Sequence, residues 1–187
     1  IAQCLVGSEM CIRDRKNHPT IGAFTATATK AVRKDIAEHL HLIAPVRITT
    51  GFDRPNLYFG VQTPHSKALA LLKLLEERPG KCGIVYCSTR RTVEEVDALL
   101  NDKGIPSTRY HAGLPEEERR RNQDDFVYDR KPIMVATNAF GMGIDKSNVS
   151  FVIHYNMPKN LESYYQEAGR AGRDGSPAAV SYTHLRA

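Results

Sequence analysis

Cysteine is scarce in this 187-residue chain, and none of it is arranged for a metal. Cys4, Cys11, Cys82 and Cys87 form no CxxC pair and show no zinc-finger spacing. Cys82 and Cys87 bracket an apolar run and read as buried, reduced thiols. No stretch approaches the roughly 20 consecutive apolar residues that cross a bilayer, and a signal-peptide pattern is absent. These features point to the cytoplasm and to no membrane partner. Two further sequences are missing: the GxxxxGK[ST] loop that cradles phosphates, and an acidic quartet to hold magnesium. No strand leads into GxGxxG with an acid about 20 residues on, which argues against nicotinamide binding. A strong charge of one sign is lacking too. The formal charge is +5, yet residues 81–174 hold 14 basic and 14 acidic side chains. The excess lies in residues 1–80, with 11 basic and 7 acidic. Nucleic acid would therefore have to be bound by placed local groups, not by a uniformly basic face.

What is present reads as alternating strands and helices. Ile21 to Phe24 is expected to end a buried strand, followed by a helix over about 30–40 with Val32, Ile36 and Leu40 on its apolar face. Residues 44–50 read as extended, and Gly51 to Asn56 as a boundary between domains. Beyond it, strands are expected at 57–62, 83–87, 107–110, 133–136 and 151–154. Helices are expected at 66–77 with Leu69, Leu72 and Leu75 inward, at 90–103, at 115–126, and from about Leu161. Gly104 should stop the second of these, and Pro115 suits the first turn of the third. This order predicts an α/β fold, a mostly parallel sheet with helices on both faces. Ligands in such sheets gather beyond the carboxyl ends of the strands, so the loops after residues 87, 110, 136 and 155 are the places to search. Both ends look foreign: Cys4 to Arg15 and Ser181 to Ala187 resemble translated sequencing-adaptor remnants. The domains are then 16–50 and 51–180, with non-native tails at 1–15 and 181–187.

The segment Tyr164 to Gly175 carries the sharpest chemistry. Arg170 and Arg173 stand three residues apart at a glycine-interrupted helix end, where both can face one ligand. Guanidinium groups keep their charge and offer a rigid fork of donors to phosphate oxygens. A second run, Thr137 to Asp145, holds two glycines after a buried strand, a close-approach loop. Thr137 can donate to a phosphate, while Asp145 can accept from a ribose hydroxyl, orient the arginines, or simply cap the turn. Ser88 or Thr89 can cap the following helix or seat a phosphate at its N-terminus. His111 sits in a third turn, and Phe140 is notable as an aromatic inside a polar loop.

These residues resemble the RecQ family of ATP-dependent DNA helicases over roughly residues 20–180. Ala23 to Ala28 is similar to the family's coupling motif, and Phe52 to Leu57 to the segment that leads into its second motor domain. Ile84 to Cys87, Tyr110 to Leu114, Ala136 to Asp145 and Tyr164 to Gly175 resemble its successive second-domain motifs. The resemblance implies a RecA-like helicase C-terminal domain of the P-loop NTPase superfamily, with ATP held between it and a first RecA-like domain of the same chain. It implies 3′-to-5′ unwinding of duplex DNA in repair and recombination, with single-stranded DNA across the tops of both domains. In a bacterial source the protein would then associate with the nucleoid. Arg170 and Arg173 resemble the arginines that reach ATP, one of them as arginine finger, and Gln166 a coupling group of the same motif. Gly143 and Asp145 resemble nucleotide-side residues. Ser88, Thr89, His111 and Thr137 resemble groups near the DNA, and Thr25 and Thr27 a relay between DNA and nucleotide. Magnesium ligands are expected in the first domain, and zinc only in a further C-terminal module. One departure is Pro115, where the family usually has a serine. The fragment alone is expected to be inactive. The alternatives are an RNA helicase or duplex translocase of the same superfamily, or a nucleic-acid-binding remnant without motor function.

Overall fold

The computed structural model describes residues 20–25, 28–49, 53–140 and 146–183, and the chain divides into two units, 1–50 and 51–187. In the first unit a helix, α1, covers Lys30–His39, capped by the Thr29 side chain accepting from the Val32 amide. The expected strand at Ile21 to Phe24 is not formed: residues 20–25 are irregular and Phe24 is 96% exposed. Residues 45–49 are irregular too. A buried strand needs ladder partners for its backbone groups, and the described residues of this unit contain no other strand. Accordingly, no residue of α1 is fully buried.

The second unit is one six-stranded sheet. Its strands are β1 (Leu57–Gln62), β2 (Gly83–Tyr86), β3 (Ser107–Tyr110), β4 (Ile133–Ala136), β5 (Phe151–His154) and β6 (Ala178–Thr183). They lie in the order β1-β6-β5-β2-β4-β3, and every pairing is parallel. The helices between them are α2 (Lys67–Glu76), α3 (Arg90–Asp102), α4 (Glu116–Val127) and α5 (Leu161–Ala168). Alternate residues of the central strands feed two cores. Val85, Ile133, Val135 and Ile153 pack with Leu71, Leu74 and Leu75 of α2 and Val93, Val96 and Leu100 of α3. Ile84, Tyr86, Met134, Ala136 and Val152 pack on the other face with Phe126 of α4 and Ala168 of α5. Period-two strands covered on both faces give this parallel α/β architecture. Gly83 lets the Phe151 ring cross the neighbouring strand, for a Cβ there would lie 2.0 Å from it.

Three expectations are corrected. Leu69 is 69% exposed, and the inward face of α2 is Leu71, Leu74 and Leu75, with Leu72 partly buried. Phe140 belongs to the core at 1% exposure, set edge-on against both Tyr110 and Phe126. The chain also forms a strand, β6, over Ala178–Thr183, where none was expected. Pro115 stands at the N-cap of α4 and makes no side-chain capping bond; Glu116, Glu117 and Glu118 complement the helix dipole in its place. No helix among the described residues is long and apolar enough to cross a membrane.

Candidate functional site

Because the strands are parallel, the segments after β2, β3, β4 and β5 emerge at one edge of the sheet. Ser88 is exposed there, and its amide donates to Asn156 Oδ1 at 3.1 Å. Thr89 takes the capping role: its hydroxyl accepts from the Thr92 amide at 3.1 Å at the start of α3. His111 is only 3% exposed, with Nδ1 accepting from the Gly113 amide at 3.2 Å and Nε2 3.3 Å from Glu94 Oε1. Its ring holds the turn rather than facing solvent. Thr137 is 9% exposed, its amide bound to Tyr110 O and its carbonyl to the Phe140 amide. Thr25 lies in an exposed irregular segment of the first unit. Thr27, Gly143 and Asp145 lie outside the described residues.

The arginines occupy a different place. Helix α5 ends at Ala168, so Arg170 and Arg173 are carried by a turn and not by the helix itself. The Gly172 amide donates to Val149 O, just before β5, and the Ala178 amide to Asn56 O, just before β1. The arginine loop therefore sits at the amino-terminal edge of the sheet, opposite Ser88, His111 and Thr137. The expectation that the chemistry gathers at the carboxyl edge fails for this loop, because α5 carries the chain back across the sheet first. Gly172 has φ +57°, a left-handed conformation, and a Cβ there would lie 2.6 Å from Asn56 Nδ2 and 2.7 Å from Ser176 O. Arg170 and Arg173 line one recess with Ile84, Phe126, Phe140, Lys146 and Val149. Arg170 is half-buried and Arg173 exposed. The Nε of Arg170 is buried and has no hydrogen-bond partner among the described residues. Gln166 is exposed on α5.

Several supporting residues escape a reading of the sequence. The Tyr86 hydroxyl donates to Phe140 O at 3.3 Å, and burial pushes its ionisation well above the usual phenol range while the Arg170 charge partly offsets that shift. Beneath the loop, buried His154 places Nε2 3.0 Å from Glu167 Oε2 and stacks on Tyr86. Tyr164 packs beside His154, whereas Tyr165 is 38% exposed. Lys146, 7% exposed, donates to Val127 O at 3.1 Å and Asp129 Oδ1 at 2.8 Å. The lysine pulls the Asp129 carboxyl below the usual carboxylate range. Arg54 and Asn56 bond the carbonyls of the arginine loop. A lysine beside Asp145, or an Arg-Pro-Asn run at a domain boundary, carries no local signal of such long-range bonds.

Among the described residues no group of three or more His, Cys, Asp or Glu side chains gathers as a metal site. What the arrangement offers is cationic: two guanidinium groups lining one small recess, with Arg170 Nε lacking a hydrogen-bond partner among the described residues. That donor set suits phosphate oxygens.

Comparison with known proteins agrees with this architecture. The model for the helicase conserved C-terminal domain matches residues 66–175. The ATP-dependent DNA helicase RecQ of Pasteurella multocida is 45% identical over 161 residues, covering 86% of this chain and 26% of that protein. The enzyme of the same name from Bacillus subtilis is 44% identical over 167 residues, covering 89% of this chain and 28% of its own length. The chain thus spans little more than a quarter of these relatives. The solved C-terminal domain of the DEAD-box protein Dbp5 superposes with a TM-score of 0.60 at 26% identity, over 70% of this chain and 76% of that one. On the family match and these relatives, the chain belongs to the helicase conserved C-terminal domain family and carries that domain in its RecQ form.

Proposed function

We propose that this chain is part of an ATP-dependent 3′-to-5′ DNA helicase and supplies the arginine side of an ATP site completed by a first RecA-like domain. The observation that carries the reading is a paired-arginine recess in a domain whose sequence has no GxxxxGK[ST] loop. Such a domain can finish a triphosphate site but cannot start one. ATP with Mg2+ supplies the phosphoryl group and its charge neutralisation; the magnesium ligands belong to the other domain. Arg173, the exposed member, is the one placed to reach across to the phosphates. Arg170, half-buried beside Tyr86, shapes the recess and adds its charge. A charge supplied in trans makes hydrolysis wait for closure, and closure moves one DNA site relative to the other. Ser88 and Thr89 at the carboxyl edge belong to the single-stranded DNA track, with Thr137 and His111 holding the loops behind them. By the family resemblance Asp145 and Gly143 are assigned to nucleotide binding, Gln166 couples the nucleotide to closure, and Thr25 and Thr27 relay its state from the first domain. The reducing cytoplasm suits two buried free thiols, Cys82 and Cys87.

The test is made in the full-length protein that carries this segment. Arg173→Ala should slow ATP turnover sharply, and Arg170→Ala less so, with DNA affinity nearly unchanged in both. Arginine fingers are worth about 10³–10⁵ in rate in GTPases, and less is expected where other cations share the load. Lysine should rescue poorly, since a point charge does not reproduce the planar fork. If both alanine variants hydrolyse ATP at the parental rate, the two-domain site is wrong. Unwinding of a DNA duplex but not of a matched RNA duplex is expected; the reverse result would assign the parent to the RNA helicases. The 187-residue chain alone should not hydrolyse ATP.

A further inference from the structure

The loop between α5 and β6 carries both arginines and belongs to no helix or ladder over residues 169–177. Its shape must be fixed by other bonds, because a buried or half-buried backbone carbonyl needs a donor. Two side chains that precede β1 provide them. Arg54 Nη2 donates to Ala171 O at 3.1 Å and to Gly172 O at 2.7 Å. Asn56 Nδ2 donates to the same Gly172 O at 2.8 Å and to Ser176 O at 3.0 Å. The two are tied together by Arg54 Nε donating to Asn56 Oδ1 at 3.3 Å. Two of the three carbonyls they hold, 171 and 172, lie between the two arginines in sequence.

We propose that Arg54 and Asn56 form a clamp that positions the arginine loop, so that they are positioning residues for phosphate contact by Arg170 and Arg173. This rests on the reading that those arginines face the nucleotide. Arg54 is suited to the task because one planar fork can satisfy two successive carbonyls with charge-assisted bonds. Its Nε and Nη2 donors are spent on protein. Gly172 is the counterpart of the clamp, since the space a Cβ would need is taken by Asn56 Nδ2. From the other side Val149 O accepts the Gly172 amide at 2.8 Å. The turn is thus gripped through both its carbonyl and its amide.

The test measures steady-state ATP hydrolysis by the full-length protein at saturating single-stranded DNA. Arg54→Ala should lower kcat by up to about 10²-fold, the scale set by a misplacement of about 1 Å, while KM for ATP stays nearly unchanged. Arg54→Lys should recover part of the loss, because one bond of the fork survives. Asn56→Asp, nearly isosteric, should act in the direction of Arg54→Ala, since it turns a carboxylate on the loop carbonyls. These two variants carry the same test if Arg54→Ala does not fold. The deciding measurement is the triple variant. Arg54→Ala added to Arg170→Ala with Arg173→Ala should be no slower than the two arginine substitutions alone, because the clamp acts through those arginines. Losses that multiply would make Arg54 a general structural residue and overturn the proposal. So would an unchanged kcat in Arg54→Ala alongside a slow Arg173→Ala. Parental rates in both Arg170→Ala and Arg173→Ala are a separate result, which removes the nucleotide reading and the clamp's role with it.

Discussion

Cys82 and Cys87 stand at the two ends of β2, and burial pushes both thiols up from 9.0 to about 12. Lys146 partly offsets the shift at Cys82, and Lys67 at Cys87. Tyr86 between them is shifted in the same direction, again by burial first. The sign follows from which state releases its proton first. The unfolded thiols ionise near their ordinary value while the folded ones stay protonated, so stability should fall as pH rises from about 9 towards 12. Urea midpoints of the 187-residue chain should drop across that window, and Cys82→Ala with Cys87→Ala should flatten the drop. A midpoint that is level across that range in the parent chain would contradict this account. Alkylation at neutral pH, read by peptide mapping, should spare both cysteines until the chain is unfolded. That these thiols are buried was legible from the apolar run they bracket. The offsetting lysines were not, since both reach them from distant parts of the chain.

At the scale of single elements, the helices and the inner strands could be read from periodicity because each is anchored by local chemistry. Ser66, Thr89 and Asn160 accept from the third amide of their helices, as capping residues do. The face of α2 could not be chosen in the same way. Its run Leu69, Leu71, Leu72, Leu74 and Leu75 satisfies helical spacing on two overlapping stripes, and only the tertiary core selects one. Leu71→Ala should therefore cost about 2–5 kcal/mol by leaving a cavity, while Leu69→Ala should stay within about 0.5 kcal/mol, as exposed positions do. Chemical denaturation of the two variants measures the difference. Equal losses would show that the inward face is wrongly assigned. The arginine loop was half legible. Its residue types announced phosphate, but its placement at the amino edge depends on α5 reversing the chain and on bonds to Arg54, Asn56 and Val149, more than 20 residues away at the nearest.

In the whole molecule, β6 is the strand that sequence patterning missed, and it joins the parts the site depends on. The run Ala178 to Thr183 mixes small and polar residues and shows no clean alternation, as strands buried on both faces often do not. Val180 is nevertheless fully buried and Ser181 is 6% exposed. Strand β6 pairs with β1 from Leu57↔Ala178 to Gln62↔Thr183, and with β5 from Phe151↔Ala179 to His154↔Tyr182. Among the described residues it is the sole ladder partner of β1. Through β1 it also fixes Asn56, whose carbonyl takes the Ala178 amide at 2.9 Å. Ending the chain after Pro177 should therefore release β1 and the clamp together while leaving β2 to β5 paired. Hydrogen exchange should then show the amides of 57–62 and Gly172 losing protection, and those of 83–86 and 133–136 keeping most of theirs. Retained protection in β1 would mean that the strand is held by contacts other than this ladder. Global loss of protection would mean that the sheet is one cooperative unit with no separable edge. In the first outcome the arginine loop, though intact in sequence, would lose the bonds that aim it.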